Sequence, residues 1–373
     1  MKRVQLPLIL KDLGKKMVFL IGPRQVGKSW LAKAAMEAYH QPLYLNWDQS
    51  SNRDIILSQS WPPFTDLLVL DEIHKMPEWK NYLKGLYDTK ATGLHILVTG
   101  SARLDTFRRG GDSLAGRFFA HRLLPLSPAE AHLAGEKRDL SWHVMAGGFP
   151  EPWLAESEAE VRRWRNQYLD GLIRDDILEF GNILQLKAMN ALVRLLRERV
   201  GSLLSFQGLA EDLHISPNTV AHYLEILEAL FVVFRIMPHR DSVARSLAAR
   251  QKLYFLDTGL VEGDIGKRLE NLVAVSLLKR CWYLEELDGI RRELRFLRNK
   301  EGKEVDFYLH TEGGPGLMVE VKSSERSLSP NLRYFHERGG FPGIQLVAAP
   351  VAPYDKDGLS VRDLFGWLEG LEA

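Results

Sequence analysis

The run Gly22-Pro23-Arg24-Gln25-Val26-Gly27-Lys28-Ser29 constrains this chain more than any other segment. It follows an apolar run, Met17-Val18-Phe19-Leu20-Ile21, and precedes a segment of helical composition at 28–38. Strand, glycine-rich turn and helix N-terminus in that order aim the backbone N–H groups of the turn and the positive end of the helix dipole at one point, which is what a bound phosphate needs. Lys28 is then placed to reach β- and γ-phosphates, and the Ser29 hydroxyl to ligate Mg²⁺. With Trp30 immediately after, residues 22–30 read as the cradle of a nucleotide. A buried parallel strand feeding a helix needs parallel neighbours, so the fold class of this part is α/β.

Four further strands are expected at 42–48, 67–72, 94–99 and 118–124, making a sheet of five with 17–21. The run Leu67-Leu68-Val69-Leu70-Asp71-Glu72 ends in two acids at the strand edge where α/β sheets bind ligands. Asp71 is expected to hold Mg²⁺ through water, and Glu72 to orient or deprotonate the attacking water. After the next strand, Ser101 is the first choice for a side chain that senses the γ-phosphate and Thr99 the second. His74 reads as a residue that packs the start of the next helix. No Asn-Lys-x-Asp run occurs, which favours ATP over GTP.

A formal net charge of +1 means that nucleic-acid binding has to come from local patches. Cys281 is the single cysteine, so no disulfide forms within the chain and a reducing, cytoplasmic setting is expected. The segment at 4–10 is too short and too interrupted for a signal peptide, and no apolar run is long enough for a membrane span.

Residues 158–204 are helical in pattern and rich in arginine, after the turn Gly147-Gly148-Phe149-Pro150, whose glycines suggest a hinge before a helical lid. Residues 206–224 fit a helix-turn-helix. Leu209, Ala210 and Leu213 face a core, Ser216 caps the second helix with Pro217 at its first position, and Val220, Leu224 and Leu227 form the apolar stripe of that helix. The runs 231–237 and 252–256 would complete a winged helix. Its second helix turns Asn218, His222 and Glu225 outward, with no Lys or Arg among them. Phosphate contacts are therefore expected on the wing, from Arg235, Arg240, Arg245, Arg250 and Lys252, with Asp241 the one acid nearby.

Toward the C-terminus, 304–309 and 317–322 read as two strands of a hairpin. Period-two geometry puts Glu320 and Lys322 on one face, with Asp306 opposite. Two carboxylates and a lysine suit a hydrolytic Mg²⁺ site, with Asp306 and Glu320 as ligands and Lys322 positioning water or offsetting phosphate charge. Glu270, in the first turn of a helix expected at 269–278, could reach the same metal. A helix at 330–336 and a strand at 343–347 follow. Arg291, Arg292, Arg295, Arg298, Lys300 and Lys303 form a basic run just before the site. The order Glu, Asp, Glu-x-Lys resembles the PD-(D/E)XK nuclease core.

Taken together, the chain resembles the bacterial and archaeal AAA-type ATPases that carry a C-terminal domain of unknown function with a winged helix and a PD-(D/E)XK-like end. The resemblance is carried by residues 22–29, Leu70-Asp71-Glu72, Thr99-Gly100-Ser101, Leu114-Ala115-Gly116-Arg117, Gly147-Gly148-Phe149-Pro150-Glu151, the run Leu253-Tyr254-Phe255-Leu256-Asp257-Thr258-Gly259-Leu260, Glu270-Asn271, and Asp306 with Glu320-Val321-Lys322. It implies ATP binding, hydrolysis and a fused nuclease-like domain. It also implies that Arg117 is an arginine finger acting on a neighbouring subunit's nucleotide. The expected domains are a P-loop ATPase of the ASCE/AAA type at 1–135, a helical lid at 136–200, a winged helix at 201–258 and a nuclease-like α/β domain at 259–373. The expected function is an Mg²⁺-dependent ATPase that binds and processes DNA mainly through its backbone. The alternative is an ATP-driven switch or adaptor whose two C-terminal modules only bind a protein or DNA partner, with self-association open in both readings.

Overall fold

In the computed structural model, residues 3–100, 114–172, 186–239 and 250–371 are described. Ser101, Arg240, Asp241 and Arg245, named above, lie outside them. Contacts divide the chain into one unit of Met1–Leu124 with Ala229–Phe231, and a second of Pro125–Glu228 with Val232–Ala373.

The first unit is built on five strands, β1 (Met17–Ile21), β2 (Pro42–Asn46), β3 (Leu67–Asp71), β4 (His95–Thr99) and β5 (Phe118–Arg122). All pairings are parallel, in the order β2-β3-β4-β1-β5. Every residue of β1 and β3 is buried, as expected of strands covered on both faces. The Lys28–Met36 helix follows β1 directly, and Gly22 is obligatory at the joint. A Cβ there would lie 2.2 Å from the Leu123 carbonyl oxygen. All five strands therefore end at one edge, where Gly22, Asn46, Asp71 and Thr99 lie.

The second unit starts with short helices and the Glu158–Gly171 helix, then the Leu186–Glu198 helix. A helix pair follows, Phe206–Leu213 and Pro217–Ala229. Ser216 Oγ accepts from the Thr219 N–H at 3.1 Å, the cap expected from sequence. Leu209, Ala210, Val220, Leu224 and Leu227 are buried, and Leu213 is half-buried.

An eight-stranded sheet completes this unit, in the order β12-β13-β11-β10-β9-β8-β6-β7. Its strands are β6 (Val233–Pro238), β7 (Lys252–Phe255), β8 (Arg292–Arg298), β9 (Glu304–Thr311), β10 (Leu317–Lys322), β11 (Gly343–Val347), β12 (Tyr354–Lys356) and β13 (Leu359–Asp363). The antiparallel pair β6–β7 is not free-standing, because β6 also runs parallel to β8. The Ile265–Asp288 helix begins earlier than the sequence suggested. Asp264 caps it by accepting the Lys267 N–H at 2.9 Å, which puts Glu270 in the second turn. Asn271, fully buried, fastens that helix to β7. It accepts from the Phe255 N–H at 2.9 Å and donates to the Phe255 carbonyl and to Thr258 Oγ1, each at 3.0 Å.

The Gly147-Gly148 turn is fastened to this unit as well. The Gly148 N–H donates to Asp257 Oδ1 at 2.6 Å. Asp257 is 2% exposed, and its other carboxylate oxygen is buried without a hydrogen bond. A Cβ on Gly147 would lie 2.3 Å from this carboxylate and one on Gly148 2.3 Å from the Leu126 carbonyl oxygen, which explains two adjacent glycines.

Candidate functional site

The edge of the first unit gathers the P-loop residues around Asp71. Ser29 Oγ donates to Asp71 Oδ2 at 2.8 Å. Tyr44 at the same oxygen and Thr99 at Oδ1 also donate to this carboxylate. Thr99, the second choice for a phosphate sensor, is thus a support of Asp71, and β2 contributes a support that sequence reading missed. The Tyr44 hydroxyl is pushed up to about 12, by burial first and then by Asp71. Lys28 Nζ donates to the carbonyls of Gly22 at 3.0 Å and Pro23 at 2.6 Å, so the P-loop wraps around its own lysine. Of the remaining loop residues, Val26 is buried as an anchor, Arg24 is half-buried, and Gln25 and Trp30 are exposed. Gln25 and Gly27 have φ of 60° and 97°, the left-handed conformations of a tight turn.

Glu72 follows β3 with φ of 57°, an uncommon backbone state for such a residue and one that recurs at functional sites. Lys75 Nζ lies 3.4 Å from its carboxylate and 2.5 Å from that of Asp48, and His74 Nε2 lies 3.7 Å from Glu72. Burial and neighbouring Asp71 raise Glu72 above the usual carboxylate value, against the pull of Lys75 and Lys28. A raised carboxylate next to the P-loop suits a group that takes a proton from water. The donor set fits Mg²⁺: a hydroxyl and a carboxylate already in contact at the N-terminus of a helix.

Arg117 sits at the opposite edge. The Met17 N–H donates to its carbonyl, which puts it at the start of β1 and β5, about 16 Å from the P-loop edge at five residues of strand. Its guanidinium is held by Asp88, at 2.8 Å and 3.0 Å. It cannot reach the nucleotide site of its own subunit from there.

In the second unit the expected acids do come together, around a cation that was assigned elsewhere. Lys252, read from sequence as a phosphate contact of the wing, is 2% exposed. Its Nζ lies 2.7 Å from Glu304, 3.5 Å from Glu270 and 4.0 Å from Asp306. Tyr254, two residues on and on the same face of β7, donates to Glu270 Oε1 at 2.6 Å. Lys322 Nζ pairs with Glu320 at 2.9 Å, Ser329 Oγ donates to the same oxygen at 3.3 Å, and the other Glu320 oxygen is buried without a hydrogen bond. Asp306 accepts from the Val321 N–H at 2.9 Å. Burial, and then Asp306, push Glu270 and Glu320 each to about 7. Burial raises Asp306 itself, against Lys252.

These residues do not fit a three-carboxylate metal centre as they stand. Among the described residues no three His, Cys, Asp or Glu side chains converge to hold a metal ion.

The expected basic surfaces also change. Arg235 is tied to Glu228 at 2.8 Å, Arg291 to Glu293 at 2.8 Å, Arg292 to Asp288 at 2.7 Å and Arg298 to Glu304 at 2.6 Å. Arg295 is tied to Glu293, and the Lys303 ammonium lies 3.9 Å from the Tyr334 ring centre. Two helices supply Glu228 and Asp288, β8 itself supplies Glu293 and β9 supplies Glu304, which a count of arginines along the chain does not show.

A model described as an AAA domain matches residues 14–132. Two models, each described as a domain of unknown function (DUF8612 and DUF4143), match residues 137–267 and 265–347. An uncharacterised protein of Mycobacterium tuberculosis is 27% identical over 331 residues, covering 85% of this chain and 73% of that protein. One of Methanocaldococcus jannaschii is 23% identical over 385 residues, covering 94% and 84%. The Walker-type ATPase of Pyrococcus abyssi, a solved structure, aligns with a TM-score of 0.42 at 12% identity, over 69% of this chain and 93% of that one. The AAA match spans the residues that assemble around Asp71. The chain therefore carries an α/β P-loop ATPase fold and is an ATP hydrolase.

Proposed function

We propose that this chain is an Mg²⁺-dependent ATPase that works on DNA, with the second unit as the DNA-holding part. The observation that carries the ATPase half is the contact of Ser29 with Asp71, beside Lys28 and Glu72 on one sheet edge. Ser29 and Asp71 would hold the metal, which supplies positive charge to the β- and γ-phosphates when bound. Lys28 exchanges the carbonyls of Gly22 and Pro23 for phosphate oxygens. Tyr44 and Thr99 keep the Asp71 carboxylate oriented. Glu72 accepts a proton from the attacking water at its carboxylate, and Asp48 fixes the Lys75 ammonium that steadies it.

The DNA half is supported by two features of the second unit. One is the helix pair 206–229 with its Ser216 cap, which suits a helix-turn-helix. The other is the helix–strand–strand–strand–helix–strand order over 265–347, which suits a PD-(D/E)XK-like core. In this reading the chain acts as a homo-oligomer, and Arg117 leaves Asp88 to serve a neighbour's nucleotide.

A second reading, DNA cleavage by the C-terminal site, is favoured by one observation: Asp306 accepts the N–H of Val321, between Glu320 and Lys322, whose side chains pair at 2.9 Å. The test is ATP turnover with single-stranded, duplex and branched DNA in Mg²⁺ and Mn²⁺, scoring strand scission in the same tubes. DNA-stimulated turnover without scission is expected. Turnover indifferent to every DNA, with no binding at low salt, overturns the DNA assignment. Scission lost in Asp306→Ala establishes the second reading instead.

A further inference from the structure

We infer that Lys252 is the resident cation of the acidic cluster in the second unit: its ammonium, rather than a divalent metal ion, is the counter-charge around which Glu270, Glu304 and Asp306 are assembled. The inference concerns this cluster alone, so it stands or falls independently of ATP turnover and of whether the partner is DNA.

An ammonium as buried as Lys252 persists only when paired, and all its pairing comes from this cluster and from the Phe296 ring 5.5 Å away. Strand β7 is built to deliver it. Lys252 and Tyr254 face the same side, and both address Glu270, while Asn271 locks the neighbouring helix turn to Phe255. Glu304 is shared with Arg298 at 2.6 Å, and Glu320 has Lys322 at 2.9 Å. Four acids thus meet three cations without any metal. A divalent ion held by Glu270 and Asp306 would sit within about 4 Å of the Lys252 ammonium. At an effective dielectric constant of about 20, repulsion between a doubly charged ion and the ammonium at that distance weakens its binding on the order of a millionfold.

The test is Mn²⁺ binding to the full-length chain without nucleotide, read by electron paramagnetic resonance of the free ion. Wild type and Asp306→Asn are expected to titrate alike. Lys252→Met is expected to bind one Mn²⁺ on the order of a millionfold more tightly than wild type. That gain should vanish in Lys252→Met/Asp306→Asn and be absent in Lys252→Arg. A Mn²⁺ site in wild type that Asp306→Asn removes overturns the inference, as does a folded Lys252→Met that binds no more tightly. If Lys252→Met does not fold, the wild-type and Asp306→Asn titrations decide alone: coincidence supports Lys252 as the counter-ion, and divergence refutes it.

Discussion

Asp257 makes the most direct test of how the second unit is held. Replacing it with Asn keeps the size and an oxygen to accept from Gly148, but removes the ability to ionise. Burial pushes the Asp257 carboxyl from the ordinary 3.8 to about 6, against the opposing pull of the Gly148 N–H and Arg165. A carboxyl raised in the folded state binds its proton more tightly there than in the unfolded chain. Its contribution is therefore fully present below the unfolded value and is lost as pH rises through the folded one. The gap between 3.8 and about 6 corresponds to about 3 kcal/mol across that window. Glu270, Glu320 and Asp306 are raised too and act in the same direction, so the informative quantity is the difference between wild type and Asp257→Asn. Urea unfolding across this range, followed by tryptophan fluorescence, should show wild type gaining about 3 kcal/mol over the variant as the medium is acidified. Hydrogen exchange of the peptide carrying Gly148 should follow the same curve. Parallel pH profiles for the two proteins would refute the assignment of a buried, charged-when-neutral-pH Asp257 as the fastening of the turn.

Lys28→Ala should abolish ATP binding measured by calorimetry, and Glu72→Gln should keep binding while turnover falls roughly 10²- to 10⁴-fold. Wild-type turnover in Glu72→Gln would remove Glu72 as the base. Arg117→Ala should lower turnover with little change in ATP affinity, and mixing with inactive Lys28→Ala should restore part of it. Monomeric light scattering with ATP present rules out the action between subunits. Lys279→Met should destabilise the second unit by about 3–5 kcal/mol, because it removes the buried cation that the fully buried Glu130 carboxylate contacts. A loss under 1 kcal/mol by urea titration, about the value of an exposed pair, would show that this contact is solvent-screened.

The nucleotide site was legible because its signals are local. Residues 22–29 sit in one turn, and Asp71 ends a strand of four apolar residues, so spacing alone aligns them with the sheet edge. The hairpin acids were legible for a similar reason, since period two puts Glu320 and Lys322 on one face. Lys252 was misassigned because its charge is answered by Glu270, Glu304 and Asp306, which are remote in sequence and meet it only through sheet order and the Asn271 lock. Tyr44 and Lys75 were missed because nothing in a strand or turn composition says which carboxylate a side chain will meet. The run 292–298, read as basic surface, is strand β8, whose arginines find Asp288, Glu293 and Glu304.

The pairing of β6 with β8 has a consequence for how such a chain can be cut and recombined. Two strands that leave the helix pair become the far margin of the sheet carrying the acids. A fragment starting after residue 258 would lack Lys252, Tyr254 and an edge of two strands. It would expose the backbone of β8 to pairing with other chains and leave Glu270 without its donor. Gene fusions or truncations that treat the helix pair as a detachable reader are therefore expected to yield aggregating halves, and inheritance of the two as one block follows from hydrogen bonding alone.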